Sequence, residues 1–503
     1  MQDIPYDVWL HITSFLSPEE VSNLYTLNSS LLGIALDARY RMAFIGSLNR
    51  RSTERSLNRL TDPMIAPRVR SLTFRPGHLC KLLQDSERQK QKQLLENPVS
   101  ELLKAFESLS IQSRRKAMTF NESPMPAHFA KKNALKIMSL LTSLTSLRVE
   151  IRGEEHWYFG QSPVNFFAPG WMAFKDNLTS LDLIVPLEDM AKILPPARDT
   201  LLSLTALSFR IIRATLTTDI ISIVMETLVP FINKHHRTLK TLQLDVAEQV
   251  SMSPLLLNLT HLTSLSSFKM KQPLVSQEEL DFAGLKHFFQ THRSHLSTLD
   301  IGMVATYIYY PTPFPFFSHD CFTVSFPRLQ HLIIHLHDFP LEYLEGMIPF
   351  VSQFHQTLVS LEVQGHDWPF TNLDELLQGL SSASNLRELK IHVFLFSPFV
   401  LFRIAKLLSK LETLCLGFSE VGPSGFIDLY EEIPLFVHEM EQYRMEQLVF
   451  SAWHLRSLHL EKALHVSHDL RQRYKLALVQ ALPNVETFCG LPKIEYISTT
   501  VLV

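Results

Sequence analysis

One six-residue pattern, Leu-x-x-Leu-x-Leu, constrains this chain more than any other feature because it returns along most of its length. It runs from Leu144 to Val149, Leu178 to Leu183, Leu204 to Phe209, Leu239 to Leu244, Leu265 to Met270 and Leu296 to Ile301. It continues from Leu329 to Ile334, Leu358 to Val363, Leu386 to Ile391, Leu411 to Leu416 and Leu455 to Leu460. A degraded copy follows at Val485 to Phe488, and an outlier at Val69 to Phe74 precedes the series. Eleven steps span the 341 residues from Leu144 to Val485, a mean period of 31 with single steps of 25 to 44. The 82 leucines against 15 glycines in 503 residues carry the same signal. The Leu-x-Leu alternation predicts a short strand with leucines on one face and variable residues on the other. Between strands, stretches such as Thr218 to Asn233 and Asn372 to Leu380 place apolar residues at helical spacing. A strand and a helix every ~30 residues predict an α/β solenoid with a parallel inner sheet and outer helices. No unit buries its leucines alone.

Composition narrows the function classes. Hydrophobic residues make up 46% and charged residues 19%, a folded balance. A net charge of −3 argues against a nucleic-acid binder working through bulk charge. Cys80, Cys321, Cys415 and Cys489 lie far apart without a Cys-x-x-Cys pair, so neither a disulfide framework nor a zinc site is legible. The first 16 residues include Asp3, Pro5 and Asp7 with no basic start, unlike a signal peptide. The longest uncharged stretch, Ile301 to His319, is broken by Pro311, Pro313 and Pro315 and does not read as a membrane span. A cytoplasmic or nuclear protein without a membrane partner is the expectation.

Residues 1–45 depart from the repeat. Val8, Trp9, Ile12, Phe15 and Leu16 sit at helical spacing, and Ser17-Pro18-Glu19-Glu20 reads as a helix start with a capping box. Val21, Leu24 and Leu27 continue an apolar face, and a third helix runs through Leu31, Leu32, Ala35 and Leu36. Three short helices cannot bury a sufficient core alone, so a partner or the following domain must complete it.

The repeats resemble the leucine-rich-repeat family over roughly residues 69–491. One departure is clear: the family's column of Asn or Cys two residues beyond the Leu-x-Leu is missing, so the turns need another source of hydrogen bonds. The N-terminal stretch looks like an F-box. Ile4-Pro5 stands where that motif usually has Leu-Pro, and Trp9, Ile12, Leu16, the Pro18-Glu19-Glu20 step, Val21, Leu24 and Leu27 follow its order. With Ala35 and Arg39-Tyr40-Arg41, it is similar to fungal F-box proteins with leucine-rich-repeat tails. The resemblance implies the substrate-recognition subunit of a cullin–RING (SCF-type) ubiquitin ligase. Its F-box would bind the Skp-type adaptor through Ile4, Pro5, Trp9, Ile12, Leu16, Val21, Leu24 and Leu27, and its repeats would bind a target protein. Two alternatives stay open: an N-terminal cap on the array, and a repeat scaffold without a ligase link.

The expected organisation is a helical module at 1–45, a basic linker at 46–68, a solenoid at 69–491 with a polar insertion near 77–135, and a tail at 492–503. Residues 41–70 carry seven arginines against Glu54 and Asp62, which suits a solvated connector or a phosphate contact. Two aromatic-rich loops, Trp157 to Phe174 and Tyr307 to Phe326, could be binding loops or satellite core.

Nothing in the sequence reads as a catalytic, metal or cofactor site. His331 and His335 lie four apart on one predicted strand, about 13 Å, too far to share an ion. No Gly-x-Ser-x-Gly, His-Glu-x-x-His or phosphate-loop motif occurs. The repeat phase instead nominates a surface. The residue between the last two leucines should face inward, and that column supplies Arg148, Asp182, Gln243, Lys269, Asp300, Glu362 and Lys390, with Cys415 and His459 further on. Its polar, mixed-sign character favours a protein ligand over a polyanion.

Overall fold

The computed structural model describes residues 4–498, apart from most of 86–126, the segments 213–219, 248–250, 275–280, 306–315, 338–345, 422–431 and 462–467, and a few isolated positions. The chain forms two compact units, Met1–Leu239 and Lys240–Val503.

The first unit opens with helices α1 (Tyr6–Thr13), α2 (Pro18–Asn23) and α3 (Ser29–Tyr40). Helix α2 starts as the sequence suggests: Ser17 Oγ accepts from the Glu20 amide, and Glu20 Oε2 accepts from the Ser17 amide at 2.7 Å. Five strands follow, β1 (Met42–Ile45), β2 (Ser71–Phe74), β3 (Ser146–Glu150), β4 (Ser180–Pro186) and β5 (Ala206–Ile212). Strands β1 to β4 each pair in parallel with the next, in sequence order.

The second unit holds β6 (Thr241–Val246), β7 (Ser267–Leu274), β8 (Thr298–Ala305), β9 (His331–His337) and β10 (Ser360–Trp368). It continues with β11 (Glu388–Phe396), β12 (Thr413–Val421), β13 (Ser457–Leu460), β14 (Thr487–Phe488) and β15 (Leu491–Pro492). Strands β6 to β14 run parallel in sequence order, while β15 turns back antiparallel on β14. That turn passes through Cys489 and Gly490, both at positive φ, the geometry a two-residue hairpin requires. Pro492 then stands on the outer edge, where its missing N–H discourages further pairing.

Register follows the motif rung by rung. Leu147 pairs with Leu181, Leu181 with Leu207, Leu299 with Leu332 and Leu389 with Leu414. This leucine column is at most 1% exposed throughout, from Leu72 to Phe488. At about 1.5–3 kcal/mol for each buried side chain, it is the main apolar contribution of each strand. Helices and aromatic side chains cover it: Phe268 packs on Phe288 with ring centroids 4.4 Å apart, and Phe74 on Phe166 at 5.8 Å.

Several expected borders shift. Met42–Ile45, assigned above to the helical module, is the first strand of the array. Residues 46–68, read from sequence as a basic linker, contain helix α4 (Arg50–Leu60), with Leu57, Leu60 and Ala66 buried. Its arginines and its buried leucines lie on opposite faces, which a charge count alone does not separate. The stretch 492–503 includes a helix at Lys493–Ser498. Most of the polar insertion lies outside the described residues; its end is helical, Ala127–Leu140.

The first aromatic loop is largely core. Phe159, Phe166, Phe167, Trp171 and Phe174 are buried, and Trp171 Nε1 donates to the Ile193 carbonyl at 3.0 Å. Among its described aromatic residues only Trp157 is strongly exposed, at 65%. In the second loop Phe316, Phe317, Phe322 and Phe326 are buried, while Tyr307 to Phe314 lie outside the described residues.

The missing Asn column is replaced at the strand entrances. The carbonyl of Arg70 accepts the amides of both Thr145 and Ser146, and that of Thr145 accepts those of Thr179 and Ser180, at 2.8–3.0 Å. Hydroxyls join the same acceptors: Thr145 Oγ1 donates to Arg70, Thr179 to Thr145, Thr205 to Thr179, Ser266 to Lys240 and Ser297 to Ser266. Asn177, Asn385 and Asn484 donate to carbonyls of the preceding repeat. Two buried histidines close other turns. His235 Nδ1 donates to the Phe231 carbonyl while Nε2 accepts from the Leu201 amide; His292 does the same with Phe288 and Leu262. Among the described residues, these turn donors are met by backbone carbonyls and buried histidines.

His292 is 1% exposed and needs its Nε2 lone pair for Leu262. Burial, opposed by the bond to Phe288 and aided by His261, His295 and His287, pushes its pKa from 6.5 down to about 4. Neutral His292 therefore contributes stability above the ordinary histidine range that is lost as pH falls from 6.5 towards 4, on the order of 3 kcal/mol. Denaturant melts between about pH 7 and about pH 4 should show this decline, and His292→Gln should flatten it. Stability that stays level in the native chain would refute the buried neutral imidazole.

Candidate functional site

The variable column of the repeat lies on the strand face opposite the leucines, and it is wired into ion-pair chains. In the first unit Arg148 reaches Asp182 on the next strand at 3.3 Å and Glu150 on its own strand at 2.6 Å. Glu150 also accepts from Arg75 at 2.7 Å, and Arg152 lies 3.4 Å away. Burial alone would raise the Glu150 carboxyl, but hydrogen bonds from Arg75 and Arg148 outweigh it and hold its pKa below the ordinary value.

In the second unit Lys269 bridges to Asp300 at 2.5 Å, and His335 Nε2 stands 3.0 Å from the other Asp300 oxygen. Asp300 and His335 are 5% and 6% exposed. Burial would raise the Asp300 carboxyl, yet the contacts with His335 and Lys269 bring it below its ordinary range. Further along, Lys390 bridges Glu362 at 3.2 Å and Glu461 at 3.0 Å, and the Cys415 thiol donates to Glu461 at 3.2 Å. Glu461 first, then Glu362, hold the Lys390 ammonium above its usual range. Burial and Glu461 together push the Cys415 thiol up to about 12. His392 contacts Asp367, which accepts from Ser419.

Glycine makes room for the larger side chains on this face. A Cβ at Gly417 would overlap the His392 ring of the neighbouring strand, and one at Gly302 would meet Lys271 Cγ at 2.7 Å.

The nominated column residues thus fall into two sets, Arg148 with Asp182 in one unit, and Lys269 with Asp300 and Glu362 with Lys390 in the other. Gln243 is half-buried on β6 and pairs in register with Lys269. Asp300 is buried and acts as an anchor for its neighbours rather than a free contact. Sequence reading missed Glu150, Arg75 and Glu461 and weighed His335 only as a metal ligand, yet all four lie on this face or its edge. Their signal was the same alternation, two positions beyond the column. Nor did it bring Cys415, His459 and Glu461 together, although Cys415 and His459 are register partners on β12 and β13.

At the N-terminus the module's own core is Val21, Ile34 and Ala35, with Trp9 and Leu16 packed on it. Val21 is therefore withdrawn from any partner. Ile4, Ile12 and Leu27 are exposed, at 43%, 41% and 66%; Pro5 is also exposed, and Leu24 is half-buried. Helix α3 is tied to the body of the unit, where Arg68 donates to the Gly33 carbonyl at 3.0 Å and to Asp37.

A groove of about 700 Å³ lies along the strand entrances of the second unit, beside Arg328, Arg387 and His295. Burial pushes the Cys80 thiol up to about 11 and raises that of Cys321 further, so neither is an activated nucleophile. Among the described residues no helix is long and apolar enough to cross a membrane.

No family model and no curated protein matches this chain. Among solved structures it is similar to a leucine-rich repeat-containing protein from Legionella pneumophila, with 12% identity over 71% of this chain and 98% of that one and a TM-score of 0.32. The repeat architecture described above stands on its own strand registers, not on that likeness.

The two acidic column residues should differ sharply in weight. Asp300→Ala strands Lys269 beside a buried His335 and should cost about 2–4 kcal/mol by chemical denaturation. Asp182→Ala, which removes one half-exposed bridge, should cost no more than about 1 kcal/mol. Equal losses would show that burial does not set the strength of these pairs.

Proposed function

We propose that this chain is a receptor subunit in which the N-terminal helices dock on a Skp-type adaptor of a cullin–RING ligase and the charged strand face selects a target protein. The observation that carries the reading is the apolar surface left on α1 and the turn after it. Ile4, Val8, Leu10, Ile12 and Phe15 are 41–78% exposed on a module whose own core cluster is Val21, Ile34 and Ala35. An N-terminal cap would instead turn Ile12 inward against the repeats. Here α3 is tied to the body of the unit through Arg68, while Ile12 on α1 is 41% exposed. Exposed apolar side chains on one helix end of this kind are material for a protein docking site. The order of residues from Ile4-Pro5 to Leu27 supplies the adaptor class, and a cytoplasmic or nuclear location goes with that role.

The direct test is retention of the purified full-length chain on an immobilised Skp-type adaptor. Binding at micromolar concentration is expected, and Ile12→Asp with Phe15→Asp should weaken it more than about tenfold while thermal stability stays unchanged. Both side chains are exposed, whereas Leu16 packs on the module's core and would confound the result. Absence of retention would leave the chain a repeat scaffold without a ligase link.

Target selection by the strand face makes a separate kinetic prediction. With a captured target, Arg148→Glu and Lys269→Glu should slow association and alter its salt dependence, because unlike charges steer encounter. Trp157→Ala should act through faster dissociation only if that exposed ring is an anchor. Binding unchanged across all three variants would move the target site off this face.

A further inference from the structure

We propose that Cys415, His459 and Glu461 form a binding site for a divalent transition-metal ion of the zinc class on the strand face of the second unit. Their candidate donor atoms, the Cys415 sulfur, an imidazole nitrogen and a Glu461 carboxylate oxygen, all lie within 4.8 Å of one another. Metal–ligand bonds of about 2.0–2.3 Å set tetrahedral edges of roughly 3.3–3.8 Å, so closure around an ion needs rotamer adjustments of about 1 Å and no backbone movement. The backbone is already committed. Cys415 and His459 are paired in register across β12 and β13, and Glu461 follows two residues later, its amide bonded to the Leu416 carbonyl at 3.0 Å.

The present neighbours show how the charge would balance. Glu461 already neutralises a cation, the Lys390 ammonium at 3.0 Å, and accepts the Cys415 thiol at 3.2 Å. Lys390 has a second carboxylate, Glu362, at 3.2 Å, to which it can withdraw. Binding would break the Cys415 S–H bond, release that proton to solvent and form metal–sulfur, metal–nitrogen and metal–oxygen bonds. The ion's two positive charges are then met by one thiolate and one carboxylate. A sulfur, nitrogen and oxygen set is suited to Zn²⁺ or Co²⁺ and discriminates against Mg²⁺ and Ca²⁺, which take oxygen donors. His459 and Glu461 are exposed, so the fourth position faces solvent and stays open to water or to a side chain from a bound protein.

Co²⁺ titration of the full-length chain tests this, because thiolate-bound tetrahedral cobalt has a near-ultraviolet charge-transfer band and intense visible bands. One equivalent should develop both, and Zn²⁺ should bleach them. Cys415→Ser should abolish the charge-transfer band and His459→Ala should weaken binding more than about tenfold, with thermal melts confirming that each variant folds. Lys390→Met should tighten binding, since the competing ammonium is gone. No charge-transfer band, a band that survives Cys415→Ser, or weaker binding in Lys390→Met would each overturn the site.

Discussion

A carbonyl at the mouth of a strand, accepting two amides from the next repeat, is the interaction on which each unit depends. Arg70, Thr145, Thr179, Lys240, Ser266, Ser297, Gln330, Val359, Arg387, Glu412 and Arg456 all serve in this way. Each sits at the same place in its repeat, so the shared bond locks successive strands rank against rank. Side chains alternate along a strand, and a slip of one residue would bring the leucine column to the charged face. The hydroxyls of Thr145, Thr179, Thr205, Ser266 and Ser297 reinforce the same acceptors. The ladder and these hydroxyls together fix the strand entrances.

That register also builds the charged strand face. Once the leucines align, the variable positions align too, and neighbouring rungs about 4.8 Å apart bring long charged side chains into contact. Opposite charges alternate across strands, so the face is neutralised locally while presenting oriented donors and acceptors. Where a pair is half-exposed, as with Arg148 and Asp182, it costs little to open for a partner. Where the carboxylate is buried, as with Asp300 and Glu150, it fixes its neighbours in place. Within each unit, half-exposed and buried charged residues thus occupy the same strand face. The Cys415, His459 and Glu461 group arises from the same geometry with a softer set of atoms.

The N-terminal helices obey a different constraint. Too short to enclose a core, they divide their apolar residues between Val21, Ile34 and Ala35 inside and Ile4, Ile12, Phe15 and Leu27 outside. Attachment runs through α3, with Arg68 bonded to Gly33 and Asp37, which leaves α1 uncovered. The module is thus anchored through α3 and leaves apolar side chains exposed on α1.

The periodicity by itself determined the positions of β2 to β14, the buried leucine column and the identity of the opposite face, because alternation along a strand is a local property; it did not reveal β1 or β15. It also carried the α2 capping box, since Ser17 and Glu20 are three residues apart in any helix start. Residues 46–68 were not legible: helical burial of Leu57 and Leu60 depends on what lies beneath them, and a tally of arginines does not register that. Nor was the fate of the aromatic loops, for Phe166 and Trp171 have the same composition whether they pack under a sheet or wait for a ligand. Only tertiary structure decided which column residues are buried, how His235 and His292 satisfy turns in the repeats before them, and that Glu461 closes on Cys415. Those contacts join residues 30 to 46 positions apart, and their strength comes from desolvation, which exists only once neighbouring strands have assembled.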